Sequence, residues 1–131
     1  MSNYRPITDM FILARCKYKS GIKRYGGFPG GFLERARALL GVHINDPVLH
    51  VCSGLVRDYP YRGGFGPNDK TMDLDPETNP DFLHDVREPF PYVNWSGILC
   101  DPPYSSMDAE HYAPGADTFP EPNLLLKNGL I

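Results

Sequence analysis

A carboxylate, two prolines and a tyrosine follow a short apolar run, residues 95–100, in the last third of the chain. These four residues are Asp101, Pro102, Pro103 and Tyr104. The Asp101 carboxylate and the Pro102 carbonyl are adjacent acceptors that suit a substrate amino group, because each can take one N–H. Proline fixes φ and carries no N–H, so this carbonyl is held without a competing donor. The residues predict chemistry on an amino group, and an ordinary strand-ending turn is the alternative.

Four short apolar runs predict the strands that would position such a site. They cover residues 48–52, 71–75, 82–85 and 95–100. Small or acidic residues end each run, which favours an α/β fold with an open parallel sheet in the order third-second-first-fourth. Such sheets bind ligands at the carboxyl ends of their strands. The polar residues expected to converge there are Ser53, Asp73 or Asp75, Asp85 and Asp101.

One helix is predicted before the first strand. Pro29 opens it, Gly41 ends it, and apolar residues recur at helical spacing between them, at Phe32, Ala36, Leu39 and Leu40. The predicted division of the chain is therefore a basic N-terminal segment with one helix, residues 1–41, and a sheet-forming unit, residues 42–131.

Charge is distributed unevenly along the chain. Residues 1–40 carry eight Lys or Arg against two acids, a net +6, and residues 41–131 carry five against fourteen, a net −9. A basic arm on an acidic body suits a nucleic-acid partner, and a solvated basic face is the alternative. The glycines of residues 20–31 would also permit a lid over a ligand. The residues expected to bind a nucleic-acid backbone are Lys17, Lys19, Lys23 and Arg24.

Composition predicts a soluble, intracellular, cytoplasmic protein. No apolar run approaches the roughly 18 residues that a membrane span needs, and residues 10–14 are too few for a signal peptide. Three cysteines without a C-x-x-C pair indicate reduced thiols. Cys52 and Cys100 end neighbouring predicted strands, which favours buried neighbours over a redox pair. The four histidines have no spacing typical of a shared metal, so no metal is expected.

Residues 98–104 resemble the Asp-Pro-Pro-Tyr motif of class I S-adenosylmethionine-dependent methyltransferases that modify adenine N6 or cytosine N4. The resemblance covers residues 42–131, a partial cofactor-binding domain with a Rossmann-like sheet. It implies a turn at Cys52, Ser53 and Gly54 around the methionine part of S-adenosyl-L-methionine. It further implies that Asp73 or Asp75 binds the ribose, with Asp73 at the position that is more common in the family. Asp85 would contact the adenine.

The resemblance implies methyl transfer to an exocyclic amino group of a nucleobase, with DNA favoured. Asp101 and Pro102 would accept the two N–H bonds, Pro103 would help hold them, and Tyr104 would stack on a base rotated out of its helix. An RNA guanine-N2 or adenine-N6 methyltransferase, or a catalytically inactive methyltransferase-like binding module, are the alternatives.

Two departures from the family pattern stand out. Bulky Leu55, Val56 and Arg57 follow Gly54 where the family has further glycines, which predicts a steric conflict with the cofactor. The family sheet has seven strands, whereas this chain is expected to be truncated after about the fourth. The fourth strand would then be an exposed edge that invites pairing with a second copy of the chain.

Overall fold

The computed structural model describes residues 28, 30–59, 63–90, 94–102 and 107. One α-helix precedes four β-strands, and short 3-10 helices follow the first and second strands. The elements are α1 (Phe32–Leu40), β1 (Val48–Val51), a 3-10 helix (Val56–Asp58), β2 (Lys70–Asp73), a 3-10 helix (Pro76–Thr78), β3 (Phe82–Leu83) and β4 (Gly97–Cys100).

The strands form one parallel sheet in the order β3-β2-β1-β4. His50 in β1 pairs with Thr71 on one side and with Leu99 on the other, and Met72 in β2 pairs with Phe82 in β3. The α/β class, the parallel pairing and the strand order predicted from the sequence are therefore confirmed. The observed strands are shorter than the apolar runs: β1, β2 and β3 end before the last residues of their runs, whereas β4 begins two residues after the start of its run.

Both faces of the sheet are covered, which explains why all four residues of β1 are buried rather than alternate ones. Leu49, Val51 and Met72 pack on one face with Val86 and Phe90. On the other face a second cluster holds Leu33 of α1, Val56 and Tyr59, with Leu99 of β4 packed against it. Helix α1 therefore packs against this second face of the sheet.

Helix α1 ends where the sequence predicted, at Gly41, which adopts a left-handed φ of 69°. Its buried side chains are Leu33, Ala36 and Arg37, whereas Leu40 is 44% exposed. The apolar spacing therefore identified the helix and the buried Ala36, but it included the exposed Leu40 and missed the buried Arg37. The reason is that Arg37, a charged residue, is buried against a partner that lies 32 positions later in the chain.

That partner is Asp69, the centre of a buried polar network. Arg37 donates to its two carboxylate oxygens at 2.8 and 3.1 Å, and His50 Nε2 lies 3.0 Å from Oδ2. Backbone N–H groups of Val48 and Gly66 donate to the same carboxylate at 3.2 and 2.9 Å. The network joins α1, β1 and the loop before β2, and so fixes the strand that leads to the candidate site.

Candidate functional site

The carboxyl ends of β1, β2 and β4 meet at one edge of the sheet, as the sequence predicted. Asp101 N–H donates to Val51 O at 3.2 Å, which extends the β4 pairing one residue beyond the strand. Ser53 N–H donates to Met72 O at 3.2 Å on the other side of β1. Asp101 and Ser53 are therefore held on either side of the end of β1.

The turn after β1 is built around Gly54. Its φ of 53° is a conformation that favours glycine, and its N–H donates to Asp73 Oδ2 at 2.7 Å. Asp75 N–H donates to the other oxygen of Asp73 at 2.9 Å. Each carboxylate oxygen has a further lone pair, so Asp73 can still accept hydrogen bonds from a ligand. Asp73 is thus oriented at the turn, as a ribose-binding carboxylate would need to be.

Ser53 presents a buried hydroxyl at the same turn. Across the part of the chain that the structure describes, its Oγ has no hydrogen-bond partner. A buried hydroxyl without a partner costs free energy, about 1–3 kcal/mol. A ligand that bonds to Ser53 Oγ would recover that cost. Ser53, Gly54 and Asp73 thus place a buried hydroxyl and a carboxylate at one turn.

The bulky residues after Gly54 are directed into the fold rather than over the turn. Val56 is fully buried and packs with Leu33 and Tyr59. Arg57 donates to Thr71 Oγ1 at 3.1 Å and pairs with Asp81. Leu55 packs against the same cluster as Val56. Core packing and an ion pair therefore hold these side chains in place, and the conflict with the cofactor stays a prediction.

The other two predicted carboxylates have local partners. Asp75 caps the second 3-10 helix, where its Oδ1 accepts from Glu77 N–H at 2.9 Å. Arg87 binds Asp85 through Nε and Nη2, at 2.9 and 2.7 Å, and through its backbone N–H. These bonds from Arg87 lower the pKa of Asp85. An adenine amino group would therefore share this carboxylate with Arg87, a partner that sequence reasoning missed although it lies two positions away.

Cys52 and Cys100 are neighbours at the site, as the sequence predicted. Their thiols hydrogen-bond to each other, and both are partly exposed. The bond to Cys100, together with burial, raises the pKa of Cys52 well above its usual value. The same bond lowers the pKa of Cys100.

Part of the predicted site lies outside the described residues. Asp101 and Pro102 are described and half-buried, whereas Pro103 and Tyr104 are not described. The predicted nucleic-acid contacts also lie outside, namely Lys17, Lys19, Lys23 and Arg24. Among the described residues, no three His, Cys, Asp or Glu side chains form a group that could hold a metal ion. In the same residues, no helix is long and apolar enough to cross a membrane.

Comparisons with protein-family models, with curated proteins and with solved structures find no match to this chain.

Proposed function

We propose that this chain binds S-adenosyl-L-methionine and transfers its methyl group to an exocyclic amino group of a nucleobase in DNA. One observation carries the proposal: Asp101, the first residue of the Asp-Pro-Pro-Tyr run, lies beside the turn of Ser53 and Gly54 at the end of β1. Substrate acceptors and cofactor-binding groups would then share one edge of a parallel sheet, where ligands of such folds bind.

The cofactor would be held by the groups that converge at this edge. The Asp73 carboxylate would accept from the ribose hydroxyls, and Ser53 Oγ would gain the partner it lacks. Asp85 would remain next to the adenine position while it keeps its bond to Arg87. When bound, S-adenosyl-L-methionine supplies an electrophilic methyl group on a positively charged sulfur.

The amino group would be activated by Asp101 and Pro102. The lone pair of an exocyclic amine is delocalised into its ring, which makes it a weak nucleophile. The Asp101 carboxylate accepts one N–H and the Pro102 carbonyl accepts the other, which favours a tetrahedral nitrogen with its lone pair free for attack. The same two acceptors stabilise the positive charge that develops on nitrogen. Asp101 would take up the proton that the amine then loses.

DNA is proposed as the substrate because a basic segment precedes an acidic body. Residues 1–40 carry a net charge of +6, and a segment of positive charge would attract a phosphate backbone. RNA, with guanine N2 or adenine N6 as the target, is the alternative substrate. Parallel assays on DNA and RNA oligonucleotides of the same sequence separate the two.

Calorimetric titration of the full chain with S-adenosyl-L-methionine tests the proposal first. Binding at one site per chain would support the proposal if Asp73→Ala weakens it. The control is Asp58→Ala, a change at an exposed residue of the first 3-10 helix, which should leave binding unchanged. Methyl transfer to DNA is then measured with isotopically labelled cofactor. Cofactor binding without transfer to DNA or RNA would favour an inactive binding module, and absence of binding would overturn the proposal.

A further inference from the structure

The backbone of Cys52 brings its side chain to an unexpected face of the sheet. Val51 pairs in register with Cys100, so their side chains lie on the same face. The next residue of an extended strand would place its side chain on the opposite face. Cys52 instead adopts a φ of 53°, a conformation that is disfavoured for a residue with a Cβ. Cys52 and Cys100 consequently pack against the same buried cluster.

The two cysteines lie at adjacent strand ends and pack against the same buried cluster. A hydrogen bond between their thiols lowers the pKa of Cys100 and raises the pKa of Cys52. Such a pair combines a nucleophilic sulfur with a second thiol in reach, an arrangement typical of reactive cysteines. Both side chains are partly exposed, so small oxidants can reach them.

We propose that Cys52 and Cys100 form a redox-active dithiol that closes to an intramolecular disulfide on exposure to a peroxide. Neighbouring strands lie about 4.8 Å apart, and disulfides join Cα atoms separated by roughly 4.4–6.8 Å. Cys52 follows Val51, the register partner of Cys100, and its side chain packs against the same cluster as that of Cys100, which brings the two thiols close together. The sequence predicted the two cysteines as buried neighbours rather than as a redox pair, because it has no C-x-x-C spacing. The proposal does not depend on the proposed methyl transfer.

The reaction has two steps. The Cys100 thiolate attacks one oxygen of hydrogen peroxide, the O–O bond breaks, and Cys100 becomes a sulfenic acid; the hydroxide released takes up the proton that Cys100 had lost and forms water. The Cys52 sulfur then attacks the sulfenic sulfur, the S–S bond forms and the S–O bond breaks. The leaving hydroxide takes the Cys52 proton as a second water. Two thiols are thereby oxidised by two electrons, and the peroxide is reduced to two waters.

The test treats the full-length Cys16→Ser variant with hydrogen peroxide, blocks remaining thiols with N-ethylmaleimide and measures the intact mass. We expect a monomer that has lost two hydrogen atoms and carries no maleimide, and two maleimide adducts after reduction. Adding Cys52→Ser should stop the reaction at a Cys100 sulfenic acid that dimedone traps. Proteolytic mapping of the unsubstituted chain should identify the bond between Cys52 and Cys100, independently of the folding of any variant.

Three outcomes would overturn the proposal. The first is two maleimide adducts after peroxide treatment, and the second is disulfide-linked dimers in place of the internal bond. The third is closure that is equally fast in the native protein and in concentrated urea, since that rate would reflect chance encounter rather than the folded contact. If the disulfide closes at least about tenfold faster in the native protein than in urea, the proximity of the two cysteines in the folded state accounts for the faster closure.

Discussion

Replacement of Asp69 by Asn tests whether the buried network holds the sheet to α1. Asn keeps the shape of the side chain but removes the charge that balances Arg37, which is only 5% exposed. Five donors converge on the Asp69 carboxylate: two from Arg37, one ring nitrogen of His50, and the N–H groups of Val48 and Gly66. In Asn, an amide NH2 group replaces one of the two carboxylate oxygens and cannot accept a hydrogen bond. The donors that bonded to that oxygen would then face another donor.

The expected loss of stability follows from the burial of the ion pair between Arg37 and Asp69. Removal of one partner of a buried ion pair typically costs about 3–5 kcal/mol, because the other charge stays uncompensated. Arg37 retains bonds to four backbone carbonyls, those of His43, Ile44, Asp46 and Gly64. We therefore expect a loss at the lower end, about 3 kcal/mol in the free energy of unfolding. That is a large share of the roughly 5–15 kcal/mol by which domains are stable.

Urea unfolding followed by circular dichroism measures this loss. With a slope of about 1–3 kcal/mol per molar urea, the midpoint should fall by about 1–3 M. Asp58→Asn makes the same chemical change on an exposed side chain and should alter stability by no more than about 0.5 kcal/mol. A loss below about 1 kcal/mol for Asp69→Asn would refute the buried pairing with Arg37.

The free energies of unfolding of the native chain and of Asp69→Asn can also be compared as a function of pH. Burial acts to raise the pKa of Asp69, but hydrogen bonds from His50 and Arg37 outweigh it, and the pKa is lowered in the folded state. The contribution of Asp69 is therefore present above its unfolded pKa of about 3.9 and is lost as pH falls through the lower folded value. The stability gap between the native chain and Asp69→Asn should narrow in acid. A gap that does not change with pH would contradict this assignment.

Three further predictions concern the proposed function. Asp101→Ala should lower the methyl-transfer rate on the order of 10²–10³-fold with nearly unchanged cofactor affinity, because its bond matters mainly in the transition state; an unchanged rate would remove Asp101 from the site. Asp73→Ala should weaken cofactor binding by about 1–3 kcal/mol in calorimetry, and an equal loss with Asp75→Ala alone would move the ribose site to Asp75. A variant with four residues replaced by alanine should show a weaker salt dependence of DNA affinity and an unchanged cofactor affinity; the four are Lys17, Lys19, Lys23 and Arg24. An unaltered salt dependence would argue against a basic arm.

The sequence alone determined the elements of this fold and their order in the sheet. Short apolar runs predicted four strands, and polar residues at the run ends indicated a shared carboxyl edge, which the observed order β3-β2-β1-β4 confirms. Gly41 correctly marked the end of α1. These features could be predicted because burial on both faces, strand termination and helix capping act within a few neighbouring residues and leave a local pattern.

Only the tertiary structure decided the pairings between distant residues. Asp69 makes Arg37 a core residue from 32 positions away. The sequence predicted Cys52 and Cys100 as neighbours, but the left-handed turn at Cys52, which brings both side chains to the same cluster, was not predicted. The choice of Asp73 over Asp75 as the carboxylate at the Gly54 turn likewise depended on the path of the chain after β2. Such pairings depend on strand register and loop conformation, because the free energy of a buried charge or thiol is set by the groups that packing brings around it.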